Sequence, residues 1–294
     1  MDVLVTGGDG FIGRYLCDEL AERGHRVTAL SRDPDPSVFS EDVDTVVGDI
    51  TAYDSIEDQF EDRDCVVNLV ALSPLFQPPG ETTHEGVHLR GTENAVRAAK
   101  THSVRRFVQL SALGADPAGA TAYIRAKGRA ERVVRESALD WTIFRPSVVF
   151  GDGGEFVSFT KKVTPPYLAP LPRGGHTRFQ PIWVGDLVPL IADALAEDDH
   201  IGATYEIGGP AVLTLADVAK LAYRAEGKSV SVIPVPMGLT KLGMTAIGPV
   251  PLIPFGPDQA RSLELDNVVE NNDIEAFGRG ESDLTTLASY LRTA

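Results

Sequence analysis

The stretch "TGGDGFIG" (residues 6–13) places Gly7, Gly10 and Gly13 three apart, directly after the β-branched run "DVLVT" (2–6) and directly before an amphipathic segment. The setting, more than the glycines themselves, decides the fold class. A strand that ends in small residues and runs straight into a helix brings backbone N–H groups and a helix N-terminus to one point, which makes a cradle for a pyrophosphate. Gly7 allows a tight turn, Gly10 lets phosphates approach the backbone, and Gly13 lets the helix pack on the strand. Phe11 and Ile12 fall in the first helical turn of that cradle. Along the helix, Phe11, Ile12, Tyr15, Leu16 and Leu20 share one face, Arg14, Asp18, Glu22 and Arg23 face water, and Gly24 closes the segment.

The same alternation continues. "RVTAL" (26–30), "VDTVV" (43–47), "CVVNLV" (65–70), "RFVQL" (106–110) and "WTIF" (141–144) read as strands, separated by helical patterns near 54–61, 91–102 and 122–138. Short apolar strands joined by helices predict an α/β fold with a doubly wound parallel sheet of the Rossmann type. After Gly151 the pattern changes to the Pro- and Gly-rich "TPPYLAPLPRGG" (164–175). A helix from Asp186, read as its N-cap, and a strand "TYEIGG" (204–209) are expected to return to the sheet. A helix capped by Thr214 and closed by Gly227 then precedes the strand "VSVIPVP" (230–236). The expected organisation is a dinucleotide-binding domain over 1–151 plus about 177–208, with 152–176 and 209–294 forming a small C-terminal substrate or lid lobe.

The chain has 294 residues and a net charge of -15; 24 of its 42 acids are Asp and 20 of its 27 basic residues are Arg. No basic stripe is available to meet phosphate backbones, so a nucleic-acid partner is excluded. Such an acidic, lysine-poor surface matches proteins that work in concentrated salt, and points to a halophile. Cys17 and Cys65 lack metal-ligand spacing and read as packing residues in a reducing compartment, and no metal site is expected. No apolar run is long enough to span a bilayer, so the protein is expected in the cytoplasm.

The GxxGxxG spacing resembles that of the extended and atypical short-chain dehydrogenase/reductase families, which include NAD-dependent epimerases and dehydratases. The resemblance continues through "VVGDI" (46–50), "VVNLVA" (66–71), "GTENAVRAAK" (91–100), "RFVQLSALGA" (106–115), "YIRAK" (123–127), "RPSVVFG" (145–151), "PIWVGDL" (181–187) and "YEIGGPAVLTLADVAKLA" (205–222). Among these proteins the chain looks most like the NAD(P)-binding relatives of the nucleotide-binding accessory subunit of respiratory complex I.

The resemblance implies a cofactor cleft flanked by Asp49 and Ile50 at the adenine, by Val70 and Ala71, and by Pro146 and Ser147 at the nicotinamide. Where NAD-preferring members carry an acid at the end of the second strand, this chain has Ser31 followed by Arg32, which suits a 2′-phosphate and favours NADP(H) over NAD(H). Asp33, one residue on, pulls the other way. Tyr123 and Lys127, four apart on one helical face, match the family's acid/base pair. In that pair the Lys holds the nicotinamide ribose and lowers the Tyr pKa. Ser111 matches the first of two hydroxyl positions after the fifth strand, but Ala112 stands at the second, which is the catalytic one in extended members. His88 replaces the family's frequent Asn and is read as a helix-start residue bonded to backbone.

Two readings follow. One is an oxidoreductase acting on a small lipophilic carbonyl or quinone-pathway substrate. The other is a catalytically silent dinucleotide-binding subunit or assembly factor of a respiratory or quinone-synthesis complex. A nucleotide-sugar epimerase comes third. Arg173 and Arg178 are the only nearby cations for an anionic substrate. The stretch 237–257, with Lys241 as its single charge, reads as a lid or core segment. Its alternative is an apolar surface toward the inner face of the cell membrane or a respiratory-complex partner.

Overall fold

The structure is a computed structural model that describes residues 1–40, 42–78, 80–235, 257–262 and 265–293. The first half alternates as β1 (Asp2–Thr6), α1 (Phe11–Glu22), β2 (Arg26–Ser31), β3 (Val43–Val47), β4 (Cys65–Asn68), α2 (Gly91–Thr101), β5 (Arg106–Leu110), α3 (Ala122–Arg135) and β6 (Asp140–Pro146). Then come β7 (Val149–Phe150), α4 (Glu155–Val163), β8 (Tyr167–Pro172), β9 (Arg178–Phe179), β10 (Ile182–Trp183), α5 (Val184–Ala196) and β11 (Thr204–Ile207). The last elements are β12 (Leu213–Thr214), α6 (Leu215–Ala225), β13 (Val230–Val235), α7 (Pro257–Ser262) and α8 (Leu287–Thr293).

Seven strands form one parallel sheet in the order β11-β6-β5-β4-β1-β2-β3. The winding reverses between β1 and β4, and that switch point opens a crevice at the carboxyl ends of the strands. Period-two alternation splits each strand between the two faces. Val3, Val5, Val67, Val108 and Phe144 pack with α1 and α5, whereas Leu4, Val66, Phe107 and Ile143 pack with α2 and the Phe60 turn. Cys17 and Cys65 are buried as free thiols, in keeping with a packing role.

Thr214 caps α6 in a reciprocal pair with Asp217, and Gly227 follows at φ +70°. A third packing centre gathers Phe150, Phe156, Ala169, Leu171, Phe179, Leu215 and Val218, drawn from α4, α6 and the short strands. The expected N-cap role of Asp186 is corrected: the helix starts one turn earlier, with Trp183 at its cap. Asp186 lies inside the first turn and accepts the Thr285 N–H at 2.6 Å, so it ties the C-terminal segment to α5. Of the 237–257 stretch, all but Pro257 lies outside the described residues. Among the described residues no helix is long and apolar enough to cross a membrane.

The junction of β1 and α1 fixes the crevice. A Cβ on Gly13 would lie 2.2 Å from the Gly7 carbonyl oxygen and 2.6 Å from that of Gly8. Gly13→Ala is therefore expected to cost about 1–3 kcal/mol in urea unfolding, because α1 must lift off β1. Gly24→Asn, at φ +81° with open space around it, should cost less.

Candidate functional site

A cleft of about 1570 Å³ runs along the carboxyl ends of the central strands. At its centre, Gly7 adopts φ +74° and donates its N–H to the Leu30 carbonyl at 2.7 Å, and Gly10 donates back to Gly7 at 3.1 Å. A Cβ on Gly7 would crowd the Val70 backbone at 3.2 Å, and one on Gly8 would collide with Ala29 at 2.6 Å. Gly8 is thus a fourth required glycine that the spacing alone did not reveal. Gly10 caps α1 without a side chain, and the first turn holds no acid. The N–H groups of Phe11, Ile12 and Gly13 are left for an anion, reinforced by the helix dipole.

At one end of the cleft, Ser31 donates its hydroxyl to Asp9 at 2.8 Å. Arg32 and Asp33 follow, both exposed, and among the described residues Arg32 has no carboxylate partner. Asp49 lines the same end, but one of its oxygens accepts the Thr51 N–H at 2.9 Å and the Thr51 hydroxyl at 2.7 Å, holding its own turn. Ile50 is buried against Gly91, where a Cβ would come within 2.9 Å of it. Val70, Ala71, Pro146 and Ser147 also line the cleft. The Ser147 hydroxyl is committed to Asn267, 2.7 Å from Oδ1 and 2.8 Å from the carbonyl.

The other end carries the tyrosine. Thr121 caps α3 through the Ile124 N–H, and Asp258 of α7 accepts the Ala122 N–H at 2.9 Å. The Tyr123 ring stands edge-on to two imidazoles, His84 and His88, at centroid distances of 5.5 and 5.3 Å, and these two rings stack on each other at 5.5 Å. His88 lies inside the helical segment Glu85–Arg90, whose cap is His84, rather than at a helix start; its Nε2 does bond to backbone, accepting the Leu72 N–H at 3.3 Å, which places its proton on Nδ1. Among the described residues, the Nδ1 atoms of both histidines are buried without a partner. Burial, reinforced by Lys127, holds His88 well below the usual imidazole range, so it is neutral. His84 escaped the sequence reading; its one signal was the four-residue spacing to His88.

The acid/base group is not assembled as the resemblance implies. Lys127 is almost fully buried and donates its ammonium to the Leu110 carbonyl at 2.9 Å. Burial pulls its pKa down to about 8. The Tyr123 hydroxyl makes no hydrogen bond among the described residues, and burial pushes its pKa up rather than down. Ser111 turns away from Tyr123. Its hydroxyl donates to Glu131 at 2.5 Å, and Glu131 is itself held by Arg145 at 2.7 Å and Arg135 at 3.0 Å. The wall at the second hydroxyl position is the Ala112 methyl. Arg178 is spent on Asp266 at 2.6 Å, so among the described residues the cations that line the cleft are Arg32 and Lys127. The described residues hold no cluster of metal-ligating groups.

A family profile described as NAD(P)H-binding matches residues 7–165, more than half of the chain and the whole of the glycine turn. The chain belongs to this NAD(P)H-binding family. It is 29% identical to the Arabidopsis thaliana mitochondrial NADH dehydrogenase (ubiquinone) 1 alpha subcomplex subunit 9, covering 92% of this chain and 71% of that protein. It is 26% identical to the chloroplastic divinyl chlorophyllide a 8-vinyl-reductase of Cucumis sativus, covering 81% of this chain and 60% of the reductase. Among solved structures, a nucleoside-diphosphate-sugar epimerase of Staphylococcus aureus superposes with a TM-score of 0.73 at 19% identity, over 99% of this chain and all of the other. At that identity the likeness shows a shared Rossmann-like fold. The family's dinucleotide fits the residues present: uncapped N–H groups at α1, glycines whose side chains would fill the cradle, and a long cleft that leads to Tyr123.

The buried Lys127 gives a pH test of the site without a ligand. Its folded pKa lies below its unfolded value of 10.5, so between about pH 8 and 10.5 the unfolded chain binds more protons, and folding becomes more favourable as pH rises. Comparing wild type with Lys127→Met in urea should show the difference moving by about 3 kcal/mol in favour of wild type between pH 7 and pH 11. A constant difference would place the ammonium in contact with water.

Proposed function

We propose that this NAD(P)H-binding protein is a reductase for a small, uncharged, lipophilic carbonyl or quinone-type compound, with Tyr123 as its proton donor. The observation that carries this reading is the Tyr123 hydroxyl, which makes no hydrogen bond among the described residues and stands at one end of a cleft whose centre is a phosphate cradle. When bound, a reduced nicotinamide supplies a hydride to the carbonyl carbon. The residues then have separable tasks. Phe11, Ile12 and Gly13 hold the pyrophosphate through backbone N–H groups, Lys127 and Pro146 border the nicotinamide end, and Tyr123 passes its phenolic proton to the carbonyl oxygen as the alcohol forms. Leu72, Leu75, Val87, Ala112, Leu113 and Phe156 line the cleft and suit an apolar substrate. Among the described residues no free arginine waits there for a phosphate, which argues against a nucleotide sugar. A phenol with a raised pKa is also a poor base for the oxidative half of an epimerisation.

For the dinucleotide we favour NADP(H), on the exposed Arg32 at the end of β2. We assign residues 152–176 and the described residues of 209–294 to a C-terminal substrate or lid lobe, and we place the protein in the cytoplasm of a halophile. A contact of the 237–257 stretch with the inner face of the membrane or with a respiratory complex belongs to the second reading, a catalytically silent accessory subunit or assembly factor. That reading is favoured by Ser111 turning to Glu131 and Lys127 to Leu110, which leaves Tyr123 without its helpers. The likeness to a subunit named for NADH dehydrogenase supports it as well.

Thermal unfolding in high-salt buffer tests the common ground. NADPH at 100 times its dissociation constant should stabilise the fold by about 2.7 kcal/mol, and Arg32→Ala should weaken NADPH more than NADH. Turnover on a panel of carbonyls and quinones separates the two readings. The reductase reading expects Tyr123→Phe to bind dinucleotide as wild type does and to lose at least about 100-fold in rate. Equal binding with no turnover in either protein would favour the silent subunit.

A further inference from the structure

Asp9 is the one residue of the glycine turn that is neither small nor apolar, and nothing in phosphate binding calls for an acid there. A carboxylate inside an anion cradle opposes the ligand. The side chain, however, does not aim at the N-terminus of α1. It reaches across to β2, where Oδ2 takes the Ser31 hydroxyl proton at 2.8 Å. Ser31 is the last residue of β2, 9% exposed, and its own carbonyl is fixed by the Gly48 N–H at 2.8 Å. The carboxylate is therefore pinned at the end of the second strand of a doubly wound sheet, at the mouth of the cleft. An acceptor in that place meets the 2′-position of an adenosine ribose. Asp33 and Asp49 also line this end, but Asp33 is exposed beyond the strand and Asp49, with one oxygen on Thr51, lies past the end of β3 rather than at β2. Among the described residues, Arg32 is the single cation that lines this end.

We propose that Asp9 is a specificity-determining residue that reads the ribose 2′-position from the glycine turn, in opposition to Arg32. One carboxylate oxygen is used by Ser31 and the other accepts from a 2′-hydroxyl; the same negative charge repels a 2′-phosphate. Ser31 acts as the positioning residue that holds Asp9 in place, and its hydroxyl is thereby withdrawn from the phosphate that Arg32 attracts. The protein then discriminates between the two dinucleotides less than Arg32 alone would dictate. This inference rests on the cleft being a dinucleotide site, as proposed above.

The test is calorimetric titration of wild type, Asp9→Asn and Ser31→Ala with NADH and NADPH, at the lowest salt in which circular dichroism shows all three folded. Asp9→Asn keeps the shape and the bond to Ser31 and removes only the charge. It should shift the affinity ratio toward NADPH by about tenfold, through tighter NADPH and weaker NADH. Ser31→Ala keeps the charge but frees it, and should shift the ratio the same way by a smaller factor. A ratio within about twofold of wild type in both variants, with both nucleotides still binding, overturns the role of Asp9 and leaves the site standing. Failure of wild type to bind either nucleotide overturns the site and the role together.

Discussion

The close seating of α1 on β1 is the constraint on which the rest depends. Gly13 lies against the carbonyls of Gly7 and Gly8, so near that even a methyl group would not fit. That contact sets the angle at which the helix leaves the strand, and so the direction in which its first N–H groups point. Because Gly10 brings no side chain, those donors have no side-chain cap among the described residues. Everything else along the cleft is measured from this point: Val70, two residues past β4, lies against Gly7, and Ser31 and Asp9 face each other across the end of β2. The sheet's reversal between β1 and β4 then extends the crevice toward Tyr123.

The cofactor half of the cleft and its chemical half are built in different ways. The first uses backbone geometry, which tolerates few alternatives. The second uses side chains, and here the two that the family's mechanism would set beside Tyr123 have found other partners. Lys127 is bonded to Leu110, and Ser111 belongs to a buried ionic group with Glu131, Arg135 and Arg145. Releasing Ser111 would cost Glu131 one hydrogen bond to its buried carboxylate, about 1.5–3 kcal/mol, which holds the hydroxyl where it is. What surrounds Tyr123 instead is a pair of neutral histidines on the turn before α2. They and the surrounding burial push the phenol pKa up, so Tyr123 stays in its neutral, proton-bearing form.

The sequence made the sheet legible because its strands are buried on both faces and so read as unbroken apolar runs bounded by helical periodicity. Thr214, Gly24 and Gly227 were equally plain, since caps and left-handed closures are local chemistry. In the site, the sequence marked the side chains that line the cleft, Arg32, Tyr123 and Lys127 among them, but not the partners those side chains take. Gly8 was missed because its need arises from Ala29, 21 residues away across β2. Asp9 was missed because its partner, Ser31, is known only once β1 and β2 pair. The N-cap reading of Asp186 failed for the same reason: its true partner, Thr285, lies 99 residues on and leaves no mark in the local pattern.

The central claim is that one cleft holds a nicotinamide dinucleotide with its pyrophosphate at α1 and its nicotinamide beside Tyr123. A crystal structure of the protein grown with NADPH tests it most directly. The account predicts pyrophosphate oxygens within hydrogen-bond distance of the Phe11, Ile12 and Gly13 N–H groups, with the nicotinamide ring in van der Waals contact with Pro146 and facing the Tyr123 hydroxyl. A dinucleotide bound in the reverse direction, or outside the cleft with α1 left uncontacted, would contradict it.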